Sequence, residues 1–479
     1  SSKIINGAIT AAGTGVINLG TSAVTVSGDS TVGGTSTGQI TLGAATLADG
    51  VTLTVGGGSY AAPISLSSVT GTASGTASNL TINTTGAATV SGAVGTDIGT
   101  VTVTQSGGTT FSSTVDAATI TLSNGTASSS ITFSGNVTAT TGLTVSAGTA
   151  AYNVVFNGSS NTIAGATTFA NTGTVTFGNG GDTIAFTAGV TATSPTTVYL
   201  AGTVTAAGTG VINLVGTSAT PVSVTANSTV GGTSTGQITL GNATLATGTT
   251  LTVGAGAATP ITLGTINGSS GTPNLTINTT GTVSVGAVGS TIGTVTVTQS
   301  GGTTFSSTVN AATVTLTATT GTITFTGALT AGTLSTANAG YNVAINGGGT
   351  ITNAATFSNT GTLTLAGTTA FTAGVTATSP SSKTINGTIT AAGTGVINLG
   401  TTGVNVTGNS TVGGTSTGAI TLGAATLADN VTLTVGGGAY AANITLSTVT
   451  GTAGGSSSNL TINTTGTASV GAVGTDIGT

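Results

Sequence analysis

Seven aspartates and two lysines are the only charged side chains in this 479-residue sequence, which also lacks histidine and cysteine. Chemistry, if any, must come from these few carboxylates and amines, or from hydroxyls and amides. A hydrolytic triad needs a general base, usually histidine, and none is available. Paired carboxylates are the remaining catalytic option. Asp29 and Asp49 are separated by about the length of one short coil turn, and Asp97 and Asp116 are spaced similarly. On a coil with that turn length such pairs would stack within reach for glycoside chemistry. Internal copies of the sequence argue against this role. Asp29 becomes Asn227 and Asn409, Asp49 becomes Thr247, Asp97 becomes Thr291, and Asp116 becomes Asn310. A residue exchanged for Asn or Thr at the same place behaves as a turn or ladder residue, so no enzyme and no cofactor are expected.

Calcium is a second option. Gly178-Asn179-Gly180-Gly181-Asp182 has the Gly-rich, Asp-bearing look of a calcium nonapeptide, with Asp182 the weak candidate ligand. That chemistry works in tandem, with ions between successive turns, yet the segment occurs once and its copy at Gly367-Thr368-Thr369 lacks Asp. A Gly-rich turn is the expected reading, with no metal. Thr-x-Thr pairs such as Thr52/Thr54 and Thr102/Thr104 would order water or bind ice if they lined one flat side over many turns. Ser30 to Gly38 recurs unchanged at Ser228–Gly236 and Ser410–Gly418. Its glycine pairs, Gly33/Gly34, Gly231/Gly232 and Gly413/Gly414, read as a corner needing positive φ or as a displayed contact loop.

The elements that must position these residues are strands. Runs such as Val51-Thr52-Leu53-Thr54-Val55 and Val101-Thr102-Val103-Thr104 alternate apolar residues with Thr, the pattern of a strand buried on one face. Val and Thr are β-branched and suit the pleat. Gly-Gly, Asn-Gly and Ser-Gly pairs separate the runs and mark turns. The expected fold class is therefore all-β: a parallel β-solenoid wound right-handed, with tandem β-sandwiches as the alternative. Turns of roughly 20–30 residues rising about 4.8 Å each would make a rod of roughly 80–115 Å.

The chain is also a repeat of itself. Residues 1–100 return almost unchanged as 381–479, and a looser copy follows Thr196. Units of 1–195, 196–380 and a partial 381–479 alternate as sections of one continuous coil, since the third resembles the first more than the second. Such arrays encode length and surface before chemistry. Two lysines cannot neutralise a phosphate track, which excludes nucleic acid. No run of 18 apolar residues offers a membrane-spanning helix. Disorder needs low hydrophobicity with high net charge, whereas this chain is 37% hydrophobic with net charge −5. Start and stop inside a repeat suggest a section of a longer polypeptide.

The run from Val295-Thr296-Val297-Thr298 through Thr303-Thr304-Phe305 to Ala311-Ala312-Thr313-Val314-Thr315-Leu316 resembles the giant β-strand-repeat surface proteins of bacteria, filamentous-haemagglutinin-like and autotransporter-like. The resemblance is one of composition and style over the whole chain. It implies a β-helical stalk or fibre, export to the cell surface, and adhesion or matrix formation, including biofilm matrix. Charge here is sparser still, which favours self-association. The expectation is a structural section of an extracellular, self-associating solenoid whose main partner is itself. The alternative is an adhesin stalk that binds cell-surface glycans.

Overall fold

A computed structural model describes residues 3–479. No helix occurs among them, and the strands pair in parallel throughout. The described residues wind a parallel β-solenoid of about 21 turns. Sandwiches are built from antiparallel sheets, so the tandem-sandwich alternative falls. The solenoid forms two compact units, Ser1–Thr244 and Leu245–Thr479.

Each turn carries three strands and so has three faces. In the first unit, strands at Lys3–Ile5, Ala8–Gly13 and Ile17–Asn18 open the coil, and the fourth strand, Val24–Val26, returns to lie on the first. The register then repeats turn by turn: Lys3 faces Val24, Ala8 faces Thr31, and Ile17 faces Ile40. The second unit is built alike, with Thr250, Ile261 and Ile266 facing Asn274, Val283 and Val288. Turn length is uneven. A short turn brings Thr313 onto Thr294, whereas a much longer one brings Asn79 onto Thr52. The slack is taken up at corners, where bulges add residues without disturbing the strands.

The coil crosses both repeat junctions without a break. Thr174 pairs with Thr197 on either side of Pro195, and Thr362 pairs with Ser382 on either side of Pro380. Proline is tolerated there because it sits between strands, where no ladder N–H is needed.

Alternation places Val, Ile and Leu inward, and they fill a narrow core. Phenylalanine is used sparingly and always inside. In the first unit Phe111, Phe133, Phe156 and Phe177 occupy one inward column in consecutive turns. The first two contacts are stacked at 5.2 Å between ring centroids, and the third is wider at 6.2 Å. Phe169 and Phe186 meet this column edge-on. Each such pair contributes about 0.5–1.5 kcal/mol beyond its buried area.

Candidate functional site

The carboxylates sit mainly at corners. Asp29 accepts a hydrogen bond from the Thr52 backbone N–H, one turn on, at 2.8 Å. Asn409 accepts the same bond from Thr432 at the same distance. An amide oxygen thus replaces the carboxylate without changing its partner, and the bond closes the corner between successive turns. Asp29 and Asp49 are not brought together. Ser30 faces Leu53, so Asp29 falls opposite Thr52, while the Asp49 carboxylate leans over Gly75, where a Cβ would overlap it. Asp97 and Asp116 do share a place: both line a shallow recess of about 320 Å³, together with Thr96, Thr138 and Thr140. Asp97 lies in the left-handed region at φ 60°, and its Oδ2 is buried without a hydrogen-bond partner.

Asp182 is buried, and its Oδ2 accepts the Asn179 backbone N–H at 2.6 Å. Gly178, Gly180 and Gly181 all have positive φ. The register steps from Phe177–Leu200 to Asp182–Gly202, so the longer stretch on one turn bulges against the shorter stretch on the next. Asp182 closes this bulged corner. Among the described residues no group of three or more His, Cys, Asp or Glu side chains converges, while calcium asks for six to eight oxygens.

The recurrent glycine pairs lie within the strands Ser30–Ser36 and Ser410–Ser416 and at the end of Ser228–Gly232, and the backbone bends at the second glycine of each. Gly34, Gly232 and Gly414 have φ of 108°, 119° and 114°, a region where a side chain is strained. A Cβ on Gly33 would overlap the Gly56 carbonyl, and one on Gly413 would overlap that of Gly436. Gly231 is buried at the matching place. The glycines let two turns of backbone approach more closely than a methyl group permits.

The faces themselves are lined with hydroxyls. In the first unit an outward column runs from Thr31 through Thr54, Thr81, Thr102 and Thr121 to Thr144. It continues through Thr168 and Thr191. Beside it Thr52, Asn79, Thr100 and Thr119 form a second column over four turns. In the second unit, Thr252, Thr276, Thr296, Thr315 and Ser335 run beside Thr250, Asn274, Thr294, Thr313 and Thr333. Rows on one face are about 4.8 Å apart, and columns about 6.6 Å.

Three features escape reading from the sequence. Lys383 points inward at 2% exposure, between Leu363 and Val404. Its Nζ donates to the Pro380 carbonyl at 3.2 Å and to the Thr402 hydroxyl. Burial holds its pKa below the ordinary 10.5. The only sequence signal is that the same slot in the preceding copy holds Val198, fully buried. Second, Tyr152 and Tyr341 are buried whole, their hydroxyls donating to the Leu122 and Leu316 carbonyls. Third, the valine at one matching place in each copy faces solvent: Val16 at 62% exposure, Val211 at 45% and Val396 at 42%. Their signal was the double-apolar Val-Ile after Thr-Gly, which breaks the alternation.

Comparison with protein-family models, with curated proteins and with solved structures gives no match.

Proposed function

We propose that this chain is a structural section of an exported solenoid that self-associates into an extracellular fibre, sheath or stalk. The observation that carries this reading is continuity: the coil passes through both repeat junctions with its ladders intact. Its outward columns are hydroxyl and amide, not charge. Parallel ladders satisfy the backbone along the coil, and Thr, Ser and Asn keep each face polar. With seven aspartates and two lysines in all, two such faces meet with little repulsion and almost no ion to desolvate. Corners closed equally well by Asp or Asn, as at Asp29 and Asn409, fit a chain in which carboxylates serve geometry.

The test is electron microscopy and sedimentation of the purified full chain over a range of concentrations. Growing assemblies with ordered side-by-side contacts are expected. Single, unassociated particles at every concentration would overturn the reading. Specific retention on a glycan surface without self-association would favour the adhesin stalk instead.

A second reading has its own observation behind it. Paired outward columns over four and five consecutive turns, mostly Thr with one Asn in each unit (Asn79, Asn274), form a polar lattice of the kind that orders water. Thermal hysteresis of a dilute solution is the check, and freezing behaviour equal to an inert protein at the same concentration would remove this reading.

A further inference from the structure

One corner of the first unit holds a recess built from side chains that the second unit lacks. The corner follows the column Val55, Ile82, Val103, Leu122, Val145. It precedes the column Ile64, Ala88, Thr109, Ile131, Val154. The connections between these columns therefore stack on one another, about 4.8 Å apart. Thr85, Gln105, Ser106, Asn124, Thr126 and Thr149, from successive connections, line a common recess of about 360 Å³. Tyr60 lies in the connection one turn before Thr85, and its carbonyl accepts the Thr85 backbone N–H and the Thr84 hydroxyl.

Chain length shapes the recess. The connection from Leu122 to Ile131 is longer than the matching one from Leu316 to Ile323 in the second unit, and Val145 to Val154 is longer than Thr336 to Val343. The longer pair of connections carries Asn124 and Thr149, which brace each other across two turns. Asn124 Oδ1 accepts the Thr149 backbone N–H at 2.9 Å, and Asn124 Nδ2 donates to the Thr149 hydroxyl at 3.0 Å. Gly125 lets this wall pass close over the buried Tyr152, because a Cβ there would overlap the Tyr152 side chain. In the second unit the shorter connection turns its hydroxyls onto its neighbour. Thr317 donates to the Thr298 carbonyl at 2.7 Å, and Thr319 to the Ser300 carbonyl at 2.6 Å.

The lining decides what the recess can hold. No Asp or Lys is part of it, so a charged ligand would lose water and find no counter-ion. Gln105 is partly exposed, and its amide and the Thr126 hydroxyl make no side-chain hydrogen bond among the described residues. A purely apolar ligand would cover these groups and leave them unpaired. Ligand hydroxyls donate and accept, as an amide and a hydroxyl do. Tyr60 adds a ring that is 39% exposed, an apolar surface with a polar tip. The matching connection of the second unit, residues 254–260, has no aromatic residue. A recess of this size lies near the lower end of ligand sites, about 300–1,000 Å³, and suits a short ligand.

We propose that this corner of the first unit is a binding site for a neutral saccharide. Gln105, Asn124 and Thr126 supply the hydrogen bonds, and Tyr60 supplies the aromatic surface at one end. The site belongs to a single copy of the chain and does not depend on self-association. Gln299 stands where Gln105 does, after the same Val-Thr-Val-Thr run, but without Asn124, Thr149 or Tyr60 beside it. It is the internal control.

The test is an array of neutral, sialylated and sulfated oligosaccharides probed with the purified full chain, followed by calorimetric titration of the best-retained sugar. Wild type, Gln105→Ala, Tyr60→Ala and Gln299→Ala are compared, with circular dichroism to check each fold. Retention is expected for neutral sugars. Gln105→Ala should weaken binding about tenfold, the worth of one or two hydrogen bonds. Tyr60→Ala should weaken it less, and Gln299→Ala should leave it unchanged. No retention of any neutral sugar, stronger retention of acidic ones, or equal losses in Gln105→Ala and Gln299→Ala would overturn the proposal. Sedimentation of the same samples reads self-association separately, so chains that assemble but retain no sugar would remove this site and leave the fibre reading standing.

Discussion

The two units place different residues on equivalent columns. Phe111, Phe133, Phe156 and Phe177 stand in line in the first, whereas the second has Phe305, Phe325, Ile345 and Leu365 at the matching turns. One stacked pair survives there, at 5.0 Å with nearly parallel rings. A turn later the contrast sharpens, because Val198 in the first unit corresponds to Lys383 in the second. Both versions keep the same three-strand turn. The coil thus asks only that an inward slot be filled, since its geometry is set by backbone ladders and glycine corners. Aromatic stacking and a buried amine are local settings of stability laid over a common frame.

The largest expected effect comes from breaking the aromatic line. Phe133→Ala should cost about 3–5 kcal/mol of local stability. Phe325→Ala should cost less by about 0.5–1.5 kcal/mol, because Phe133 has two stacked partners and Phe325 one. Hydrogen exchange measured peptide by peptide reads both, and equal losses would erase the distinction between the units. Next, Lys383→Val makes the second unit like the first and should stabilise it by about 1–3 kcal/mol, by removing a buried amine that has no acidic partner. The sign with pH follows from linkage. The folded pKa is depressed, so the unfolded chain binds the proton more tightly, and stability rises with pH from the folded value toward 10.5. Denaturant midpoints measured between pH 7 and pH 10 should climb in wild type and stay flatter in the variant. Above that range Tyr341, whose pKa burial lifts to about 12, acts oppositely, because its neutral form is the one the fold favours. The smallest effect is Asp29→Asn, which should fall within about 0.5 kcal/mol, since Asn409 already makes the same bond.

Much of this was legible in the letters. Alternation of Thr with Val, Ile or Leu marks the strands, and exchange of Asp29 for Asn409 marks a corner residue. The number of faces was not legible. Strands as short as Val24–Val26 blend into long ones such as Thr174–Phe186 that turn a corner without a break. Turn length drifts because bulges absorb residues, so no fixed spacing announces three strands per turn. The meeting of Asp97 and Asp116 in one recess also depends on such a bulge. Lys383 was hidden for another reason: lysine is ordinarily a surface residue, and only comparison with Val198 betrays an inward slot.

The three-strand parallel turn has a mechanical side. Each turn occupies about 4.8 Å of the coil, yet it stores roughly twenty residues, enough for about 70 Å of extended chain. A pull that peels off a single turn breaks only that turn's ladders and releases more than ten times its folded length. Force–extension traces should accordingly show a staircase of small steps at similar force, one per turn, instead of one abrupt rupture. Material built from such coils would yield by paying out thread and take up load again as turns rewind.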